Sequence, residues 1–305
     1  MTISIEYLAQ VFNSTIRCMT PILLVTLCAS VCSKVKVFNI ALEGTLLTSA
    51  FFAYLTQYFT HNIVLSVAVA MLIAMLMTFI MSFFIVQLKG QPMIVGMALN
   101  TFALGFTTFL LSMIFGTKGT ISDPSVKGLP KINLPVIRDI PVVSTMFSTL
   151  TIIDYAAFAL AVVLFIIMYK TVVGFRLRAI GINESAASSL GINVKRYQII
   201  ATTLSGSMIG LAGCLLSLGS VTLFIQNISS ARGYVALAAN NLANAHPLGA
   251  LLSSALFGFT KALAQVLQNT AIKQQLLECI PYIATIAAMA IYNGIAKRRA
   301  KAIKN

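Results

Sequence analysis

The chain has 305 residues, of which 58% are hydrophobic and only 9% are charged. Soluble domains use charged residues for about a quarter of their length, so this composition excludes an ordinary soluble protein and indicates one embedded in a bilayer. The net charge of +14 does not indicate nucleic-acid binding, because the basic residues lie between and after long apolar runs and form no stripe interleaved with aromatic residues.

Apolar runs dominate the chain from residue 16 onwards. Residues 1–15 precede them and are mildly amphipathic, which predicts an interfacial helix. The runs long enough to cross a hydrocarbon layer of ~30 Å are 16–33, 38–58, 62–88, 92–115, 151–172, 197–221, 248–268 and 279–296. We therefore predict an all-α, polytopic membrane protein that forms one domain over residues 1–305, with about eight or nine transmembrane helices.

The segment 228–245, "ISSARGYVALAANNLANA", is apolar but rich in small and amide side chains. If span 197–221 ends outside and span 279–296 begins there, the chain between them must cross the membrane an even number of times. Span 248–268 supplies one of these crossings, so the segment 228–245 must be either a second crossing or a broken, re-entrant helix. Such helices are tolerated where they are buried in protein or line a cavity, so this segment is our first candidate for pore lining.

The polar segments between the spans predict the orientation in the membrane. Lys and Arg concentrate in the segment 174–196 and in the tail 297–305, which favours the cytoplasmic side for both. The segment 116–150 then becomes an extracytoplasmic loop, and it holds four of the eight prolines. Proline stiffens a loop, so this one is either a rim on which an external partner rests or a plain linker.

The cytoplasmic segment reads "GFRLRAIGINESAASSLGINVKR" and predicts a helix of two turns over roughly 184–190. Asn183 is suited to be its N-cap, Glu184 complements the helix dipole, and Gly191 can adopt the left-handed conformation that ends a helix. So short a helix is marginal in water and needs a partner to dock on. The side chains it offers to that partner, together with the flanking positive charges, are Ser185, Ala186, Ala187, Ser188, Arg176 and Arg178.

Four stretches of the sequence resemble permease subunits of bacterial ABC importers. "NESAASSLGINVKR" resembles the Glu-Ala-Ala…Gly loop that places a coupling helix in the ATPase, with Glu184, Ala187 and Gly191 on the motif positions. An ordinary cytosolic turn between two spans is the alternative for this loop. "VFNIALEGTLL" at 37–47, "QPMIVGMALN" at 91–100 and "ARGYVALAANNLANAHPLGALLSSALFG" at 231–258 resemble segments of the simple-sugar and nucleoside branch. Departures from that branch include Ala231 in place of Gly and His246 in place of Asn.

This resemblance to the branched-chain amino acid/ribose permease family implies a type II importer-like fold and a translocation pathway for a nucleoside. A simple sugar such as ribose or galactose, or riboflavin, is the alternative cargo. The implied partners are an ABC ATPase, a second and homologous permease that forms a heterodimer, and an extracytoplasmic substrate-binding lipoprotein. The implied location is the bacterial cytoplasmic membrane. An ion-coupled secondary transporter is the competing class, but it would need acidic residues deep in the spans.

Several polar residues in or near the spans are candidates for the translocation pathway, because amides and carboxylates can exchange hydrogen bonds with a polar solute. Each could equally join one helix to another. These candidates are Asn39, Glu43, Asn100, Asn240, Asn241 and Asn244. For Glu43 the alternative is a carboxylate that caps a helix end. We expect Arg232 near the outer face, where it meets an acidic patch on the binding protein or extends towards the lipid interface.

The sequence contains no G-x-x-x-x-G-K-[ST] phosphate loop, so ATP and Mg²⁺ are expected on a partner ATPase and no cofactor on this chain. The seven acidic residues and two histidines form no catalytic triad, carboxylate pair or zinc spacing. We therefore predict no catalytic residue and no metal site, and a transport subunit that is not itself an enzyme.

Overall fold

The computed structural model describes residues 5–117, 119–131, 150–219 and 222–267. Its helices are α1 Ile5–Lys34, α2 Leu42–Thr60, α3 Ile63–Val86, α4 Pro92–Phe115, α5 Ile152–Lys170, α6 Val172–Ile182, α7 Glu184–Ser189, α8 Val194–Cys214, α9 Arg232–Leu242 and α10 Pro247–Leu267. A π-helical turn, Leu215–Gly219, extends α8. Two short strands, β1 Thr120–Ile121 and β2 Phe224–Ile225, pair antiparallel. The predicted span 279–296 and tail 297–305 lie outside the described residues.

Six of these helices are long and apolar enough to cross a membrane, within the part of the chain that is described. They are α1 from Ala9, α3, α4, α5, α8 with its π-helical turn, and α10. The predicted all-α, polytopic fold is confirmed. The predicted interfacial segment and the first predicted span form one continuous helix, α1, over the described residues.

Helix α2 lies inside the bundle, and it begins at Leu42, four residues after the start of the run at 38–58. It packs against α3, α4 and α8, and Phe51 and Tyr54 are among its fully buried side chains. Polar residues such as Thr45 and Gln57 are also fully buried in it. Because protein surrounds α2, its residues need not be as apolar as those of a helix that faces lipid.

Glycines allow α8 to approach its neighbours closely. A Cβ at Gly210 would lie 2.5 Å from the Cα of Met71 in α3, and one at Gly206 would clash with the Thr78 hydroxyl. Gly213 is similarly pressed against Ser49 of α2. Gly206 and Gly210 have the G-x-x-x-G spacing that lets two membrane helices pack at short distance. These contacts tie α8 to α2 and α3.

The two ends of the bundle differ in charge. One end, here called the basic end, carries the cations that border α6, α7 and the adjoining loops: Lys34, Lys36, Lys89, Lys170, Arg176, Arg178, Lys195 and Arg196. The opposite end, here called the loop end, contains β1, β2 and the described part of the predicted extracytoplasmic loop. That part packs on the helices, since Val126 and Leu129 are buried and the Leu129 amide donates to the Leu218 carbonyl.

Candidate coupling surface and polar helix network

The coupling segment, residues 174–196, contains the short helix predicted from the sequence. Helix α7 spans Glu184–Ser189, and the Asn183 Oδ1 accepts from the amides of Ser185 and Ala186 at 3.1 and 3.2 Å. Gly191 follows with φ +80°, the left-handed conformation that ends the helix. The predicted cap, helix and terminator are confirmed. The segment therefore acquires its shape from interactions between residues that are close in sequence.

Helix α7 presents most of its side chains to solvent. Ser185, Ala186 and Ser188 are exposed, whereas Ala187 is buried against the bundle. Two large apolar side chains flank the helix and are almost fully exposed, Ile182 at 82% and Leu190 at 80%. Exposed apolar side chains beside a small-residue surface are typical of a site that another protein covers.

A groove of about 940 Å³ runs beside α7, here called the basic groove. Its lining brings Glu184, Ser185 and Ser188 together with Lys195 of the same segment and with two lysines from distant parts of the chain, Lys36 and Lys89. Sequence reasoning did not associate Lys36 or Lys89 with this helix. Both adopt positive φ, 57° and 53°, in the short loops that follow α1 and α3.

Gln198 connects the coupling segment to the bundle. Its Nε2 donates to the Glu184 Oε1 at 3.3 Å and to the Val35 carbonyl at 3.0 Å, and the residue is buried. The Gln198 side chain therefore links Glu184 to the loop that joins α1 to α2. Sequence reasoning missed Gln198, although an amide inside an otherwise apolar run was a signal that could have identified it.

Arg176 and Arg178 lie on α6 with different surroundings. The Arg176 Nη1 donates to the Tyr197 hydroxyl at 2.6 Å, and the residue stays exposed. The Arg178 guanidinium lies 4.7 Å from the centre of the Tyr169 ring and is half-buried. Of the two, Arg176 is the more accessible to a partner.

Glu43 holds the beginning of α9. Its Oε1 accepts from the Ala231 amide at 2.8 Å and its Oε2 from the Gly233 amide at 2.6 Å. The first amides of a helix have no partner within the helix, and inside a bilayer no water replaces one. Gly233 is required there by space, because a Cβ would lie 2.5 Å from the Glu43 amide nitrogen. Glu43 is only 8% exposed, so its carboxylate serves a contact between α2 and α9.

Asn100 joins α4 to the same two helices. Its Oδ1 accepts from the Gly44 amide at 2.8 Å, and its Nδ2 donates to the Ile40 carbonyl at 3.0 Å and to the Tyr234 hydroxyl at 3.1 Å. Asn100 is half-buried, so part of its side chain remains accessible. The start of α2 is thereby linked to both α4 and α9.

The amides of α9 and the loop after it have different exposures. Asn240 is 3% exposed and is held by α1, with Ser30 donating to its Oδ1 at 2.8 Å and its Nδ2 donating to Ser33 at 2.9 Å. Asn241 and Asn244 are exposed. Asn39 is 2% exposed, and its Nδ2 lies 3.8 Å from the Cys32 sulfur. The structure thus separates buried amides that join helices from exposed ones.

Replacing Asn240 by alanine is expected to cost about 1 kcal/mol of stability, because two serine hydroxyls lose their partner inside the bundle. Asn241→Ala is the matched control on the next residue, and we expect its stability to change by less than about 0.5 kcal/mol. Thermal unfolding in detergent measures both. Equal stability of the two variants would contradict the helix-joining role of Asn240. Uptake assays on Asn241→Ala separately show whether Asn241 affects transport.

Arg232 lies in the first turn of α9 and is half-buried, with its Nη1 donating to the carbonyls of Ile228 and Ser229 at 2.7 and 3.2 Å. It borders a partly open cavity of about 300 Å³ that Arg17, Asp154 and Gln265 also line. The structure therefore places this guanidinium among the helices. Among the described residues, no three His, Cys, Asp or Glu side chains are grouped so that they could hold a metal ion.

Comparison with known proteins identifies the family. The family model described as "Branched-chain amino acid transport system / permease component" matches residues 11–289. The chain belongs to this permease family. Apart from the first two residues of the span in α1, the match includes the six described spans and the coupling segment, so the family extends over the architecture described above.

Several relatives of this permease are named as permease proteins of ABC transporters. The guanosine ABC transporter permease protein NupQ of Bacillus subtilis is 29% identical over 95% of this chain and 94% of its own. The nucleoside ABC transporter permease protein NupC of Lactococcus lactis is 32% identical over 68% of this chain and 67% of its own. NupB of the same species, also named a nucleoside ABC transporter permease protein, is 27% identical over 97% and 84%. No solved structure gives a significant match.

Proposed function

We propose that this permease is the membrane subunit of an ATP-driven importer for nucleosides in a bacterial cytoplasmic membrane. The observation that carries the proposal is the capped helix α7, which projects from the basic end with its small side chains exposed. The names of NupQ, NupC and NupB, which refer to guanosine or nucleoside transport, support the class of cargo. Their bacterial sources support the location.

A partner ATPase is proposed to dock on α7 and on the basic groove. The three lysines of the groove favour an acidic surface on that partner, and Ile182 and Leu190 offer it apolar contact. Movement of α7 reaches the loop between α1 and α2 through the bonds of Gln198 to Glu184 and Val35. Binding and hydrolysis of ATP with Mg²⁺ are assigned to the ATPase, and this chain supplies the path.

The pathway is proposed to run beside α9 and the start of α4. Asn241 and Asn244 are exposed and Asn100 is partly accessible, so these three can exchange hydrogen bonds with a passing nucleoside. Asn39, Glu43 and Asn240 are buried, and we assign them to holding α9 in position beside the path. Rearrangement of α2 would then move α9 through the Glu43 contact.

Two further subunits complete the proposed importer. A substrate-binding lipoprotein is assigned to the loop end, and a second permease to the apolar face of α4, the least buried of the described spans. Large apolar side chains are exposed along α4, including Phe102, Phe109 and Met113. The occurrence of two different nucleoside permeases in Lactococcus lactis, NupC and NupB, supports a heterodimer.

The test is uptake by the complete transporter in proteoliposomes. We expect radiolabelled guanosine or uridine to enter only when ATP is hydrolysed, and unlabelled nucleosides to compete where ribose, glucose and riboflavin do not. Competition by a sugar or by riboflavin instead would reassign the cargo within the family. Uptake driven by a proton or sodium gradient with no ATPase present would refute the ABC mechanism.

Labelling of Ser188→Cys tests the orientation. A membrane-impermeant maleimide is expected to leave this variant unlabelled in intact cells, and a bifunctional reagent applied inside should crosslink it to the ATPase. Ser125→Cys, on an exposed residue of the loop end, is the matched control and should be labelled from outside. The reverse pattern would show that α7 faces away from the cytoplasm and would overturn the coupling role.

A further inference from the structure

A second large groove opens on the side of the bundle, between α5 and α8, and is here called the lateral groove. Its volume is about 1010 Å³, and its floor includes Val31 of α1. Leu164 and Met168 of α5 form one wall, and Leu204 and Met208 of α8 form the other. Both walls belong to helices that qualify as membrane spans, so the groove opens sideways at the depth of the hydrocarbon layer.

The end of the lateral groove that lies at the basic end is polar. Arg176 and Arg196 both line it there. The hydroxyl of Tyr197 accepts from Arg176 at 2.6 Å and orients its guanidinium. Within the described part of the chain, neither arginine is paired with a carboxylate. Among the described residues, these two cations thus have no anionic partner, and they stand at one end of an apolar slot.

The apolar walls and the two arginines of the lateral groove together favour one class of ligand. An apolar slot at membrane depth fits acyl chains, and two guanidiniums at the cytoplasmic boundary fit a phosphate. Basic pockets between membrane helices on that side are known to bind anionic head groups. A nucleoside fits poorly, because the walls between α5 and α8 offer it few hydrogen-bonding groups. We propose that the lateral groove binds an anionic phospholipid of the cytoplasmic leaflet, with its phosphate at Arg176 and Arg196.

The lipid would also touch the coupling segment. Leu190, Gly191 and Ile192, which follow α7 directly, line the lateral groove near the arginines. A phosphate held by Arg176 and Arg196 would lie beside these three residues. Anionic lipid is therefore expected to hold the exit of α7 against the bundle, which links lipid composition to coupling.

The chain contains no tryptophan, which gives a direct test. The variants are L204W, within the groove, and L72W, on the outward face of α3; each replaces a leucine that is 60% exposed in the middle of a span. Each full-length variant is reconstituted with its partner permease in vesicles that contain a minor fraction of brominated phosphatidylglycerol or brominated phosphatidylcholine. The wild-type chain in the same complex gives the background fluorescence.

Two basic side chains are expected to enrich an anionic lipid roughly 30-fold over a neutral one. Brominated phosphatidylglycerol should therefore quench L204W much more strongly than brominated phosphatidylcholine does, while L72W should respond equally to both. Adding R176Q and R196Q to L204W should abolish the difference. Equal quenching of L204W by the two lipids, or a difference that survives removal of both arginines, would refute the proposal. Absence of any lipid quenching at L204W would show that protein fills the groove and would refute it as well.

Discussion

Replacing Gly191 with valine is expected to reduce nucleoside uptake by the complete transporter about 5- to 30-fold while ATP hydrolysis continues. Gly191 has φ +80°, and a residue with a side chain pays about 1–2 kcal/mol or more for the left-handed conformation. That cost corresponds to a 5- to 30-fold change in the population of the observed turn. The turn that ends α7 would then be lost in most molecules. Movement of the ATPase would be absorbed by a flexible segment after α7 and would not be transmitted to the spans.

A second substitution at Gly191 distinguishes backbone strain from steric clash of the new side chain. No atom lies within 4 Å of a Cβ built on Gly191, so a larger side chain meets no obstacle. Asparagine tolerates the left-handed conformation, and Gly191→Asn should therefore retain most of the uptake. Parallel measurements of uptake and ATPase rate in proteoliposomes distinguish the variants. Wild-type uptake by Gly191→Val would exclude the proposed role of this turn in coupling.

Replacing Glu43 with alanine is expected to destabilise the protein strongly. The amides of Ala231 and Gly233 would lose their acceptor inside the bundle, at about 1–3 kcal/mol each. A total of about 2–6 kcal/mol is a large part of the ~5–15 kcal/mol that stabilises a typical folded protein. We expect less protein in the membrane and a lower midpoint of thermal unfolding, measured on the detergent-solubilised full-length chain.

Glu43→Gln is the matched control, because an amide oxygen can still accept from one of the two backbone amides. Its stability should lie between those of the wild type and Glu43→Ala. If Glu43→Gln is stable but its uptake is lost, the charge of Glu43 acts on the transported solute as well as on α9. Wild-type stability of Glu43→Ala would show that the contact between α2 and α9 does not depend on this carboxylate.

Most of the helices could be predicted from the sequence, since long apolar runs fix both the element type and its approximate ends. The boundaries of α2 were less predictable. Its apolar run starts at residue 38, but the helix starts at Leu42, and the preceding residues lead the chain back into the bundle. The hydropathy of a run shows that its side chains avoid water, but it does not show whether lipid or protein surrounds them. The position of α2 inside the bundle therefore could not be predicted.

The candidate site was also predictable only in part. Asn183, α7 and Gly191 were predicted individually, because a cap, a short helix and a left-handed terminator depend on hydrogen bonds that span only a few residues. The lysines of the basic groove and the link through Gln198 were not predicted as a group. They come from three separate parts of the chain and meet only because α1 and α3 end, and α8 begins, at the same end of the bundle.

The sequence by itself determined the long apolar helices and the short capped helix between two of them, and its motifs indicated a membrane permease. Only the tertiary structure decided how its buried polar residues are used. Glu43 accepts hydrogen bonds from the amides of two residues that lie 188 and 190 positions away in the sequence, and Asn240 lies 210 positions from its partner Ser30. The physical reason is that a bilayer offers no water to these groups, so each must find a partner wherever the packing of the helices brings one.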